Sequence, residues 1–235
     1  MKGELARVLT DAATEAVRPL QRADAIRPTT GGPAGNARLT AWVGTALLVV
    51  FLLEGVTLLS LHNMLTLHIV VGTALVPLVF LKTLTTGWRI VRYYGGDPDY
   101  RHAGPPSLAF RVLGPVVVLA GFAVLGTGLA LIPLGASSFR SIVTIHGARV
   151  SPLTLHKAAF IGWFAITALH VIGRLVRAGQ LMGIGERSHR VVPGTWARAV
   201  VVIVALAGGL VAGVAVNSAS HTWTNGSLTT ENGNT

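Results

Sequence analysis

The sequence predicts an all-α integral membrane protein, a helical bundle with five transmembrane helices and a four-helix core. Hydrophobic residues make up 51% of the 235 residues, whereas charged residues make up only 12%. Mean hydropathy is +0.61, and long uncharged stretches alternate with loops in which the arginines gather. A soluble domain of this length would need far more polar surface than this composition provides.

Two further features of the composition limit the function. The chain has no cysteine, which excludes disulfides, cysteine-ligated iron–sulfur clusters and covalently attached c-type haem. A redox cofactor would therefore need other ligands, for which the eight histidines are the candidates. The net charge of +10 is assigned to membrane topology and contact with anionic lipid rather than to nucleic acid.

Residues 1–38 are predicted to be a cytoplasmic tail and linker. The apolar residues of segment 3–19 fall loosely on one helical face, which indicates either a helix on the membrane surface or a frayed tail. The stretch 27–39 is rich in Pro and Gly and is typical of a linker. No short apolar core precedes the first span, so no cleavable signal peptide is expected.

Five apolar stretches are each long enough to cross a bilayer as a helix. We place these spans at residues 39–61, 65–85, 112–134, 153–175 and 199–216. The predicted domains are a four-helix bundle over 39–178, a cytoplasmic loop over 179–198, a fifth helix over 199–217 and an external polar tail over 218–235. The short apolar segment between the third and fourth spans is expected to lie at the membrane interface.

The positive charges orient these spans. All but three of the 19 Lys and Arg residues lie on one side of the predicted membrane region, and the other side has only Arg140, Arg149 and Lys157. Because cytoplasmic loops carry the excess of Lys and Arg, the N-terminus is predicted inside and the C-terminus outside. The chain is expected to be a multi-pass protein of the bacterial inner membrane.

Two histidines are predicted to meet across the bundle. His68 and His156 lie about four residues into the second and fourth spans, which run in the same direction. In an up-down-up-down bundle these spans are diagonal partners, and bundles build cofactor sites in the core between them. Two imidazoles across a planar gap suit a six-coordinate haem iron. The sequence predicts one haem near the external face; the alternative for each ring is a hydrogen-bonded core histidine.

A second haem is less well supplied with ligands. His170 follows His156 by 14 residues, so it lies on the same helical face about 21 Å deeper, the spacing that two stacked haems require. The corresponding position on the second span holds Lys82, which leaves His170 without an obvious partner. His62 and His146 are interfacial and are alternative ligands.

Four other residues are candidates for contact with the cofactor. Glu54 is expected about one turn deeper than His68, where it accepts a hydrogen bond from a ligand histidine, takes protons from a quinol, or pairs for packing alone. Gly72 and Gly121 admit close approach of either a helix or a porphyrin face. Arg149 and the two other outer cations either neutralise haem propionates or are solvated loop charges.

Two segments resemble a known family. TLHIVVG at 66–72 and LHKAAFIGWFAITALHVIGRL at 155–175 are similar to bacterial membrane-embedded b-type cytochromes. This family includes the di-haem cytochrome b subunits of hydrogenase, formate dehydrogenase and molybdopterin oxidoreductase type. The resemblance covers roughly residues 39–178, whereas the fifth span and both tails lie outside it.

The resemblance implies that haem b is held by core histidines. By position, His68 and His156 match outer ligands and His170 matches an inner ligand. It also implies electron transfer between a quinone pool and an external-face or peripheral oxidoreductase subunit. The chain departs from the family in having no histidine on the first span and Lys82 in place of the inner partner.

Two other classes of function remain open from the sequence. A membrane anchor or assembly subunit without a cofactor would use the same helices to hold a partner complex. A proton- or metal-coupled transporter would line its path with Glu54, Lys82 and the histidines. Hydrolase and transferase motifs are not evident, so an electron-transfer subunit rather than an independent enzyme is expected.

Overall fold

The computed structural model describes residues 2–17, 24–102, 104–182, 191–218 and 220. Of the described residues, 84% are helical and almost none are in strands, which confirms the predicted all-α membrane bundle. Four continuous helical stretches of the described chain are long and apolar enough to cross a membrane: Gly32–Tyr94, Leu108–Phe139, Pro152–Met182 and Thr195–Ser218.

The helices in chain order are α1 (Lys2–Val17), α2 (Gly32–Thr57), α3 (Leu61–Tyr94), α4 (Pro98–His102), α5 (Leu108–Leu134), α6 (Pro152–Met182) and α7 (Thr195–Ser218). Short 3₁₀ turns lie at Leu58–Ser60, between α2 and α3, and at Gly135–Phe139, after α5. A two-stranded antiparallel hairpin of β1 (Val143–Ile145) and β2 (Ala148–Val150) precedes α6.

The first stretch is a hairpin of two spans. At one end Asn36 Nδ2 donates to the Thr85 carbonyl at 3.0 Å, and at the other Glu54 Oε1 lies 2.8 Å from His68 Nδ1. Because these pairs run in opposite directions along the chain, α2 and α3 are antiparallel. With 26 and 34 residues, each exceeds the roughly 20 residues that a bilayer crossing needs. The described part of the chain therefore has five helices in the membrane region.

Four of these helices form a ring around the bundle axis. α2 packs against α3 and α6, and α5 packs against the same two helices, so α3 and α6 lie on a diagonal. A cluster of buried apolar residues joins α2 to α3: Val43, Leu47, Val50, Val71, Leu75 and Leu78. Since α3 and α6 lie on a diagonal, their side chains rather than their backbones meet in the centre of the bundle, where helix bundles build cofactor sites.

α7 packs on the outside of this ring, against α3. A Cβ added at Gly209 would lie 2.7 Å from the Ala74 carbonyl oxygen, and one at Gly213 would lie 2.5 Å from the Val70 carbonyl oxygen. Two glycines four residues apart form a strip without side chains on one helical face, which lets two membrane helices approach closely. The GLVAG spacing at 209–213 is the sequence signal for this contact.

The helix ends differ from the predicted spans. α2 begins at Gly32, inside the stretch predicted as a linker, and Pro33 occupies its first turn, where its missing N–H leaves no bond unmade. α3 begins at Leu61 rather than at residue 65, so the connection is the 3₁₀ turn, and the helix is distorted at Met64. The N-terminal segment is the regular helix α1 rather than a frayed tail.

The loop between α5 and α6 contains a hairpin that the sequence did not predict. The apolar segment 141–145, expected at the membrane interface, contributes strand β1, and the hairpin turn has positive φ at His146 (49°) and Gly147 (81°). Most of the predicted tail 218–235, and residues 183–190 of the predicted loop 179–198, lie outside the described residues.

Candidate cofactor site

His68 of α3 and His156 of α6 face each other across the bundle. Their ring centroids are 6.5 Å apart and their planes are inclined by 74°. A metal bound at about 2 Å by one nitrogen of each imidazole would place the centroids about 6 Å apart. The spacing of the two rings is therefore that of two ligands on opposite sides of one metal atom.

The position of the His68 ring is set by α2. Nδ1 of His68 lies 2.8 Å from Glu54 Oε1 and 3.1 Å from Thr57 Oγ1. The Thr57 hydroxyl donates its single proton to the Glu54 carbonyl at 2.6 Å, so towards the ring it acts as an acceptor. Both neighbours of Nδ1 are acceptors, and Nδ1 therefore carries the ring proton.

The His156 ring is held in the same way by α5. Its Nδ1 lies 3.1 Å from Thr127 Oγ1. The Thr127 hydroxyl donates to the Ala123 carbonyl at 2.7 Å, so it also accepts from the imidazole. In neutral His68 and His156 alike, the ring proton is on Nδ1 and the free lone pair is on Nε2.

The two Nε2 atoms are available for a ligand. Neither has a hydrogen-bond partner in the described part of the chain, and neither is completely buried. Metal-binding histidines commonly donate their other ring N–H to a carboxylate or another acceptor, which fixes the tautomer and the orientation of the ring. The residue environment of both histidines therefore fits metal ligation.

The ligand set suits a haem better than a bare metal ion. Within residues that the structure describes, no group of three or more His, Cys, Asp or Glu side chains could hold a metal ion. Two axial imidazoles are sufficient for an iron whose other four ligands come from a porphyrin. The residues present thus fit a haem, whose iron His68 and His156 would hold through their imidazole nitrogens.

Of the two carboxylate oxygens of Glu54, one is paired with His68 and the other has no partner among the described residues. The Glu54 side chain is 14% exposed, and Oε2 is buried with no hydrogen-bond partner among the described residues. Gly72 makes room for this carboxylate, since a Cβ added there would lie 3.2 Å from Oε1. Gly72 therefore accommodates the carboxylate that holds His68. A carboxylate inside a membrane span is costly and is typical of a functional site.

The glycines of α5 divide between packing and the histidine site. A Cβ added at Gly121 would lie 3.6 Å from the indole nitrogen of Trp163, so this glycine faces α6 at a packing contact. Gly128, another of the glycines of the third span, lies against His156, and a Cβ there would lie 3.0 Å from Cε1 of the ring. The two glycines are seven residues apart and share one helical face, which is the signal that points to Gly128.

His170 has no histidine partner in the described part of the chain. Its ring contacts Phe110 edge-on, with centroids 6.5 Å apart, and its Nδ1 is buried without a hydrogen-bond partner. Lys82, at the position expected for the inner partner, donates to the Thr40 carbonyl at 2.6 Å. The guanidinium of Arg174 lies over the Phe110 ring, with its carbon 4.0 Å from the ring centroid. Among the described residues, the half of the bundle around His170 thus lacks the pair of imidazoles that His68 and His156 form in the other half.

The remaining candidates are exposed at the end of the bundle that carries the hairpin. Arg149 is exposed on β2, where it pairs with Thr144 across the hairpin. His146 is exposed at the hairpin turn, and His62 is exposed in the first turn of α3. None of the three side chains has the partial burial of His68 and His156.

Comparison of the chain with protein-family models, curated proteins and solved structures found no match. The resemblance of its histidine segments to b-type cytochromes therefore stays a prediction. Its function has to be inferred from the histidine pair and the residues that hold it.

Proposed function

We propose that the protein is a b-type cytochrome that holds one haem between His68 and His156 and carries electrons in the membrane. The observation that carries this proposal is the pair of imidazoles 6.5 Å apart, each with its Nδ1 on a side-chain acceptor. The haem, when bound, supplies reversible one-electron transfer at its iron, and the protein supplies ligands, orientation and electrostatics.

The two ligands would be held with different strength. His68 donates to the Glu54 carboxylate, whereas His156 donates to the neutral Thr127 hydroxyl. A carboxylate acceptor makes the opposite nitrogen a stronger electron donor than a hydroxyl acceptor does. Glu54 is therefore a positioning residue that also lowers the midpoint potential of the proposed site.

A quinone and a peripheral oxidoreductase subunit are the electron partners that we propose. His68 and His156 lie seven and four residues from the starts of α3 and α6, which is about 6–10 Å along each helix. The proposed site is thus near one membrane face, assigned as external from the positive charges on the other side. Glu54 Oε2 is buried and has no hydrogen-bond partner among the described residues, and we propose that this carboxylate takes up the proton of a quinol oxidised there.

The test is a reduced-minus-oxidised visible spectrum of the full chain, purified in detergent after expression with ample haem. We expect a low-spin b-type spectrum and one haem per chain. His68→Ala and His156→Ala should each abolish it, because each removes one axial ligand. His62→Ala is the matched control, since His62 is exposed on the same helix, and His170→Ala should also retain one haem.

A colourless full-length protein would overturn the proposal and favour a membrane anchor. Two haems per chain would contradict the single-site assignment. Ion flux in liposomes that depends on Glu54 or Lys82, from a protein without haem, would instead indicate the transporter class.

A further inference from the structure

A second candidate site lies at the end of the bundle opposite the histidine pair. A pocket of about 330 Å³ opens where α2 begins, α3 ends and α7 begins. Three guanidinium groups line it, from Arg27, Arg92 and Arg198, and its lining includes no carboxylate. The proposed haem site makes no use of these residues.

Arg198 is the residue that needs explanation. It is only 6% exposed, although no carboxylate in the described part of the chain pairs with it. Its Nη2 donates to the Val192 carbonyl at 2.9 Å, and its Nε is buried without a partner. Gly35 in the first turn of α2 leaves space for the guanidinium, since a Cβ there would lie 2.9 Å from Nη1. A buried charge without a counter-charge is costly unless an anion is bound.

The neighbouring carboxylates leave the pocket positive. Asp97 accepts from both Arg27 and Arg92, and Asp99 accepts from Arg27 Nε at 2.8 Å. Two carboxylates thus face three guanidinium groups, and the Nε of Arg92 is buried without a partner. Arg38 is close enough for its positive charge to act on Arg198 as well.

The aromatic residues of the pocket place it at the membrane surface. Trp88 Nε1 donates to the Tyr100 hydroxyl at 3.2 Å, which leaves the hydroxyl proton free for another acceptor. The Arg92 guanidinium carbon lies 5.5 Å from the centroid of the Trp88 ring. Trp and Tyr are enriched at the level of the lipid head groups. The backbone N–H of Ala34, in the first turn of α2, already donates to the Ala25 carbonyl. Side chains rather than this N–H would therefore bind a ligand in the pocket.

We propose that this pocket binds a phosphate group, with Arg198 and Arg92 as its charge-assisted donors. Guanidinium groups match the geometry of phosphate oxygens, and basic pockets between membrane helices bind anionic head groups. An anionic phospholipid and soluble phosphate share this chemistry, and the experiment separates the two sources.

The experiment measures binding to the full-length protein in detergent after delipidation, by native mass spectrometry and by the shift in thermal unfolding. The probes are dioleoyl phosphatidylglycerol, the zwitterionic phosphatidylcholine, and sodium phosphate. We expect phosphatidylglycerol to bind in preference to phosphatidylcholine and Arg198→Gln to weaken it about tenfold or more, the effect of losing one charged hydrogen bond. Arg111→Gln is the matched control, because Arg111 is exposed and its partner is the Tyr94 hydroxyl outside the pocket.

Unchanged phosphatidylglycerol binding by Arg198→Gln, or an equal loss in Arg111→Gln, would overturn the proposal. Binding of sodium phosphate with the same dependence on Arg198, but not of lipid, would keep the phosphate site and assign it to a soluble anion. Binding of neither probe would refute the site. If Arg198→Gln does not yield a monodisperse protein, Arg92→Gln takes its place, since Arg92 is the other proposed donor and its side chain is 37% exposed; unchanged lipid binding would again refute the proposal.

Discussion

Replacing Glu54 with Gln tests both the haem proposal and the role of this carboxylate. In the native protein His68 Nδ1 lies 2.8 Å from Glu54 Oε1. The Gln side chain keeps an oxygen that can accept this hydrogen bond but removes the negative charge. Across the imidazole ring, the carboxylate would lie about 7 Å from a metal bound to Nε2. A unit charge at that distance contributes about 2.4 kcal/mol at an effective dielectric constant of about 20.

The sign follows from the charge of the iron. A nearby negative charge stabilises the oxidised form more than the reduced form, so its removal raises the midpoint potential. The interaction corresponds to a shift of about +100 mV for a one-electron couple. A spectroelectrochemical titration measures it, with Asp99→Asn as control because Asp99 lies at the opposite end of the bundle, paired with Arg27. A shift below about 20 mV, with the haem spectrum retained, would refute the assigned role of Glu54.

Three further predictions concern packing and pH. Gly209→Ala should weaken the docking of α7 on α3 and destabilise the protein by about 1–3 kcal/mol, because a Cβ there would lie 2.7 Å from the Ala74 carbonyl oxygen. Gly208→Ala is the matched control, since a Cβ there meets nothing within 4 Å. Thermal unfolding in detergent compares the two variants, and equal midpoints would contradict the interface. Gly128→Ala should lower the haem content, because the added Cβ displaces the His156 ring. Gly126→Ala is the control, since a Cβ there meets nothing within 4 Å, and it should leave the haem content unchanged. Equal haem content in the two variants would contradict the contact between Gly128 and His156. Burial raises the pKa of the Glu15 carboxyl, but hydrogen bonds from the N–H at the start of α5 and from an α6 guanidinium outweigh it, so the pKa lies below its ordinary 4.5. The stability that the ionised Glu15 carboxylate gives to the docking of α1 is therefore fully present above pH 4.5 and is lost as the pH falls through the lowered pKa. The rate of limited proteolysis of α1 should rise over that pH range. An unchanged rate would refute the contact.

The sequence by itself determined the membrane bundle and the level of its histidines. Lipid exposure depends on the local run of apolar residues, so five spans follow from hydropathy alone. The rise per residue of a helix is constant, so the matched depth of His68 and His156 follows from counting along two spans with the same direction. The diagonal relation of α3 and α6 was predicted from an up-down-up-down order of the first four spans, in which consecutive helices are antiparallel neighbours.

The tertiary structure decided which side chains surround those histidines. Contacts of Thr57, Thr127 and Gly128 with the two rings depend on the rotation of α2 and α5 about their axes, which the composition of a single helix leaves undetermined. The burial of Arg198 likewise arises only where the ends of three helices converge, although the sequence marks it as one loop cation among many. Helix rotation and helix convergence are set by packing between distant segments, and for that reason only the folded chain showed them.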